Sequence, residues 1–163
     1  MNRWLPLALL STTLAASPAG LRGAPQAVSV MPEARPEFQA LWAASVGAKS
    51  ERVACLASVE DGDTLRIVRI LPLLAGSDST AVSAAASLDR CGPPEWQGTV
   101  HTHIPLAEGQ HASGLFSGAD RGVMLMWWQR WKTDGTFCLL YGEGQAHCEI
   151  DGSRLVILPS VRY

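Results

Sequence analysis

The sequence predicts a single mixed α/β domain, a central mixed β-sheet flanked by helices. Its 163 residues suit one hydrophobic core, since single domains typically take ~100–200 residues. Its patterning runs helix, two strands, a variable segment, strand, helix and closing strands, an order that gives a mixed layered domain with no internal repeat. With 47% hydrophobic and 17% charged residues, it does not have the composition of a disordered chain. A net charge of −2 with only Lys49 and Lys132 as lysines offers no electrostatic footprint for nucleic acid.

The first nineteen residues read as an address. Met1 to Arg3 supply a positive start and Trp4 to Ala16 an apolar run. The small residues Ala15-Ala16-Ser17-Pro18-Ala19 then offer a cleavage site after Ala19. That layout is a secretory signal peptide and predicts export to the periplasm or the medium. The run is shorter than the ~20 residues of a spanning helix, and no later segment is long and apolar enough. Residues 20–35, rich in Ala, Pro and Gly, read as a tail, and the domain as residues 36–163.

Pro36 to Val46 carries Phe38, Leu41, Trp42 and Ser45/Val46 at helical spacing and is ended by Gly47. Glu51 to Ser58 reads as a strand, Glu60-Asp61-Gly62-Asp63 as a turn, and Thr64 to Leu71 as a second strand ended by Pro72. The Ala/Ser-rich stretch Asp78 to Leu88 reads as a modest helix, and Cys91-Gly92-Pro93-Pro94 breaks the chain. Gly98 to His103 forms a short strand, and residues 104–116 form a loop. Ser117 is a suitable N-cap for a helix to about Trp131. Asp120, Met124, Trp127 and Trp131 share one face of that helix. The cluster Trp127-Trp128-Gln129-Arg130-Trp131 has the spacing of helix-on-sheet packing rather than of a stacking platform. Phe137 to Leu140, Ala146 to Ile150 and Arg154 to Leu158 supply three closing strands.

Four cysteines, Cys55, Cys91, Cys138 and Cys148, are an even number in an exported chain, so two disulfides are allowed, in three pairings. A hairpin turning at Gly142-Glu143-Gly144 would place Cys138 opposite Cys148 and leave Cys55 with Cys91. Isolated thiols and a zinc knuckle are the alternatives, the latter without any C-x-x-C pair.

Three of four histidines, His101, His103 and His111, fall close together. In a strand, His101 and His103 point to the same face, because side chains alternate with period two. Asp120, in the first turn of the helix after the loop, could turn back to complete two His and one carboxylate. Such a set leaves one position for water, the pattern of a catalytic zinc site rather than a closed one.

These residues resemble the JAMM motif of JAB/MPN-domain zinc metalloproteases: a glutamate, then H-[ST]-H-P-x7-S-x-x-D. In this chain the pattern reads Glu51, then His101-Thr102-His103, Pro105, Ser117 and Asp120, and Glu51 to Leu56 is similar to the family's E-x-x-G/A-x-L opening. The likeness spans roughly residues 36–158. Two departures stand out: Ile104 separates His103 from Pro105, and the interval to Ser117 is longer than seven residues. The resemblance implies zinc on His101, His103 and Asp120, Glu51 as general base then acid, and Ser117 as an oxyanion donor. It implies hydrolysis of a peptide or isopeptide bond in a peptide or protein substrate, such as a conjugate of a small protein modifier. The alternative is a non-catalytic binding or scaffold module on the same fold, although such members generally lack part of the metal set.

Each residue also has a plainer role. Glu51 can be a solvated strand-entry carboxylate, Ser117 a cap, and Asp120 a partner of the helix dipole. Glu60 is a rival base at the hairpin tip. His111 reads as a solvent-facing loop residue and His147 as a strand residue.

Overall fold

The computed structural model describes residues 23–74, 84–105 and 110–163. The segment 1–19, where a signal peptide is predicted, and much of the predicted 78–88 helix lie outside the described residues. The observed fold is a mixed α+β domain built on one curled, eight-stranded sheet. Its strands are β1 (Ala27–Val30), β2 (Val53–Asp61), β3 (Thr64–Pro72), β4 (Gly98–Thr102), β5 (Gly135–Gly142), β6 (Gln145–Asp151), β7 (Val156–Ile157) and β8 (Val161–Arg162). The order across the sheet is β1-β3-β2-β4-β5-β6-β7, with β8 also on β6. β4 and β5 run parallel, as do β1 and β3; the remaining pairs are antiparallel.

Strand alternation sorts the core into two layers. Ala54, Leu56, Val100, Cys138, Leu140, Cys148 and Ile150 face helix α1 (Arg35–Ala48) and bury Phe38 and Leu41 against it. Cys55, Ala57 and Phe137 face the other way. There they pack on Leu88 of α2 (Ala84–Arg90) and on Met124 and Trp127 of α3 (Gly118–Trp131). Gly98 is required where β4 meets β5, because a Cβ there would lie 1.7 Å from the Thr136 carbonyl oxygen.

Several boundaries differ from the sequence reading. The segment 20–35 is not simply a tail. Ala27–Val30 adds a parallel edge strand to β3 and Pro32–Ala34 forms a 3-10 turn leading into α1. Such a pairing across the chain leaves no local signal, and the Ala/Pro-rich flanks conceal it. Gly47 does not stop α1. The helix runs on to Ala48, and Lys49 takes the left-handed cap conformation (φ 49°) with its N–H on the carbonyls of Ser45 and Val46. Glu60 and Asp61 extend β2, so the turn shrinks to Gly62-Asp63. β4 stops at Thr102, one residue before His103. The third closing strand is only Val156–Ile157, and β8 follows it.

Both disulfides form as the hairpin geometry suggests. Cys138 and Cys148 are register partners in the β5–β6 hairpin, Cα atoms 4.1 Å apart. Cys55 is bonded to Cys91. No cysteine is left for a zinc knuckle, and two buried disulfides belong to a protein of an oxidising environment. Among the described residues no helix is long and apolar enough to cross a membrane.

Tyr163 closes the α1 layer, its ring 5.2 Å from that of Phe38 and its hydroxyl donating to the Gly142 carbonyl at 3.2 Å. Burial pushes its phenol up from 10.0 to about 12, against a hydrogen bond at Gly144. The unfolded chain therefore gives up this proton first, and stability drains away as pH rises from 10.0 toward 12. Below that window the residue contributes no slope. Denaturant midpoints across the window should fall less steeply in Tyr163→Phe than in wild type; equal slopes would contradict the assignment.

Candidate metal centre

The site lies where the end of β4 meets the start of α3. Cross-strand register sets its floor: Val53, His101, Leu139 and His147 form one row over β2, β4, β5 and β6. His101 therefore shares the face covered by α3. His103 follows two residues later on the same side, its backbone N–H bonded to the Leu140 carbonyl at 2.8 Å. Thr102 points the opposite way. Its hydroxyl accepts from the Arg52 N–H at 2.8 Å and lies 2.6 Å from Ser45 Oγ, which donates to the Ser50 carbonyl. That chain of bonds ties the histidine segment to α1 and to the residues around Glu51.

Ser117 caps α3 as expected, through a reciprocal box with Asp120. The Asp120 N–H donates to Ser117 Oγ at 3.3 Å, and the Ser117 N–H donates to Asp120 Oδ2 at 2.6 Å. The cap fixes the carboxylate, with Oδ1 toward His101 and Oδ2 toward His103. Burial alone would raise the Asp120 carboxyl. The bond to His101 and its charge, with the Ser117 donors, outweigh burial and hold the carboxyl well below the usual carboxylate range.

The three predicted ligands converge. His101 Nε2 lies 3.3 Å from His103 Nε2 and 3.2 Å from Asp120 Oδ1; His103 Nε2 lies 3.5 Å from Asp120 Oδ2. An ion held tetrahedrally at 2.0–2.1 Å has neighbouring ligand atoms about 3.3 Å apart; the two imidazole nitrogens have that spacing, and each lies near a different oxygen of the Asp120 carboxylate. The side chains are 13–18% exposed, which leaves one side open. His103 Nδ1 is 3.0 Å from the Ser113 carbonyl oxygen and can only donate to it. In the neutral ring this places the lone pair on Nε2, toward the other two ligands, as outer partners of metal-bound histidines do. His101, His103 and Asp120 could thus hold a metal ion.

A recess of about 270 Å³ opens beside the triad. Glu51, exposed, shares its lining with His101 and Asp120, and Val53, Phe116 and Phe137 supply apolar wall. Ser117 is not among the lining residues. Its hydroxyl accepts from the Asp120 N–H and also helps to hold the Asp120 carboxyl low. Glu60 is distant from this recess in function: it is ion-paired with Arg154 near the hairpin tip. His111 is exposed and takes no part in the triad.

Sequence reasoning missed a group beneath the site. Glu149, 2% exposed, receives both Nη atoms of Arg121 and the Nε2–H of His147 at 3.0 Å. Burial would raise the Glu149 carboxyl, but Arg121 and His147 bring it below its ordinary value. The available signal was the alternation His147, Glu149, Asp151, which puts three polar side chains on one face of a central strand. No protein-family model and no curated protein matches the chain.

Proposed function

We propose that the protein is an exported, zinc-dependent metallopeptidase or isopeptidase of the JAMM type. The observation that carries this reading is the convergence of His101, His103 and Asp120 beside a recess that Glu51 also lines. Two neutral imidazoles and one carboxylate with an open fourth side are the donor set of catalytic zinc. Zinc supplies Lewis acidity and brings the pKa of a water it binds toward ~7.

The protein's own residues do the rest. Glu51 takes the proton of the attacking water and later returns it to the leaving amine. Ser117 donates its hydroxyl proton toward the oxyanion that forms on the scissile carbonyl. Asp120 and the Ser113 carbonyl keep the imidazoles aimed, and Thr102 holds the histidine segment beside the residues around Glu51. The apolar wall of Val53, Phe116 and Phe137 favours a substrate with an apolar side chain next to the scissile bond. The departures at Ile104 and in the interval to Ser117 fall outside the proposed ligand set. The two disulfides support the exported setting.

Metal analysis tests the site first. The purified protein should bind about one zinc per chain, and His103→Ala should lose it; equal zinc in both would remove the site. A library of unmodified peptides, followed by mass spectrometry, tests the activity. Zinc-dependent cleavage beside apolar residues supports the enzyme. Zinc binding with no cleavage of any peptide or isopeptide bond would leave the non-catalytic module as the reading.

A further inference from the structure

The helix that carries Asp120 is poorly attached at the end that matters. α3 buries Met124 and Trp127, both beyond its first turn. Gly118 and Ala119 are exposed, and Asp120 and Arg121 are only half-buried. No buried apolar side chain of the first turn holds it to the sheet. The attachment there is ionic. Arg121, adjacent to Asp120, reaches down to β6 and grips Glu149 with both Nη atoms, Nη2 to Oε1 at 2.9 Å. Asp151 lies 3.6 Å from the same guanidinium, and His147 donates to Glu149 from the far side.

Phe116 joins this group to the ligands. Its ring centroid is 5.8 Å from that of His101 and 5.7 Å from that of His147, and the Arg121 guanidinium lies 5.3 Å above it. Only the Glu149 end of this pair is buried, the Arg121 side chain being 39% exposed; desolvation of the carboxylate offsets much of the attraction, and fixing one geometry is the best-attested use of such a pair. A fork-to-fork pair is suited to that use, since two parallel bonds set orientation as well as distance.

We infer that Arg121, Glu149 and His147 are positioning residues that set where Asp120 meets His101 and His103. The inference rests on the metal reading above. Neither Arg121 nor Glu149 touches the three ligand atoms; they act by holding the first turn of α3 at a fixed height over β6.

Chelator-competition titration with zinc, and the visible absorption of the cobalt(II)-loaded protein, test it. The protein set is wild type, Glu149→Gln, Arg121→Met and Arg121→Lys, with Arg154→Lys as a control ion pair away from the site. Glu149→Gln and Arg121→Met should weaken zinc binding roughly ten- to hundredfold, the usual effect of losing an outer partner, and should change the cobalt spectrum. Arg121→Lys keeps the charge but not the fork and should fall between them and wild type. Arg154→Lys should bind as wild type does. If the two removal variants do not fold, Arg121→Lys, altered at a 39% exposed side chain, decides alone. Wild-type affinity and spectrum in the folded variants would overturn the positioning role while leaving the metal site intact. Failure of the wild type itself to bind either metal would overturn both.

Discussion

Glu51→Gln is expected to keep its zinc and lose hydrolysis, with a rate about 10²–10⁴-fold below wild type, the usual contribution of a positioned general base. Glu51 precedes β2, where Val53 pairs with His101, and it lines the recess without belonging to the ligand triad. Replacing its carboxylate by an amide removes the proton acceptor while keeping shape and hydrogen-bonding reach. Metal content and activity therefore separate at this residue, whereas His103→Ala loses both. Zinc quantification and peptide turnover on the same preparations make the comparison. A Glu51→Gln variant that turns over at the wild-type rate would exclude Glu51 as the base. Glu60 would not inherit the role, because it is engaged with Arg154.

The site was legible where it is local. His101 and His103 share a strand face by period two, and Ser117 with Asp120 is a three-residue capping relation. Both are readable in a single sequence; in the folded chain the cap forms as read, and the two histidines converge although the strand ends at Thr102, before His103. The join between them was reached only by supposing that the helix start turns back on the strand end. What remained hidden is nonlocal. β1 pairs in parallel with β3 across more than one intervening element, and Arg121 meets Glu149 only because α3 packs over β5, within reach of β6. A strand with His147 and Glu149 on its inward face looks like a half-exposed edge until the partner helix is placed. The helix end at Lys49 was hidden for another reason. A lysine in the left-handed region costs more than a glycine would, so Gly47 looked like the stop; the local bonds between Ser45 and Ser50, and the long-range contact of Ser45 with Thr102, hold the helix end past it.

Removing the Cys55–Cys91 bridge should destabilise the fold by about 4 kcal/mol, more than the roughly 3 kcal/mol expected for Cys138–Cys148, on the loop-closure estimate. The difference follows from separation: 36 residues against 10. It also follows from what each bridge adds. Cys138 and Cys148 are already opposed by a hairpin whose ladder and left-handed Gly144 (φ +66°) set the register. Cys55 sits in the interior of β2 and Cys91 just after α2, two segments joined otherwise through packing around Leu88 and Trp96. Both cysteines are fully buried beneath the α2–α3 layer, the layer on the face of the candidate metal site. Losing that bridge should loosen the wall of the recess as well as the fold. Denaturant unfolding of Cys55→Ala/Cys91→Ala and Cys138→Ala/Cys148→Ala, each against wild type, measures the order. A smaller loss for the 55–91 pair would mean that α2 is held to β2 by packing alone. The same bridge predicts a redox requirement: strong reductant should lower the unfolding midpoint of the wild type and leave that of the quadruple alanine variant unmoved.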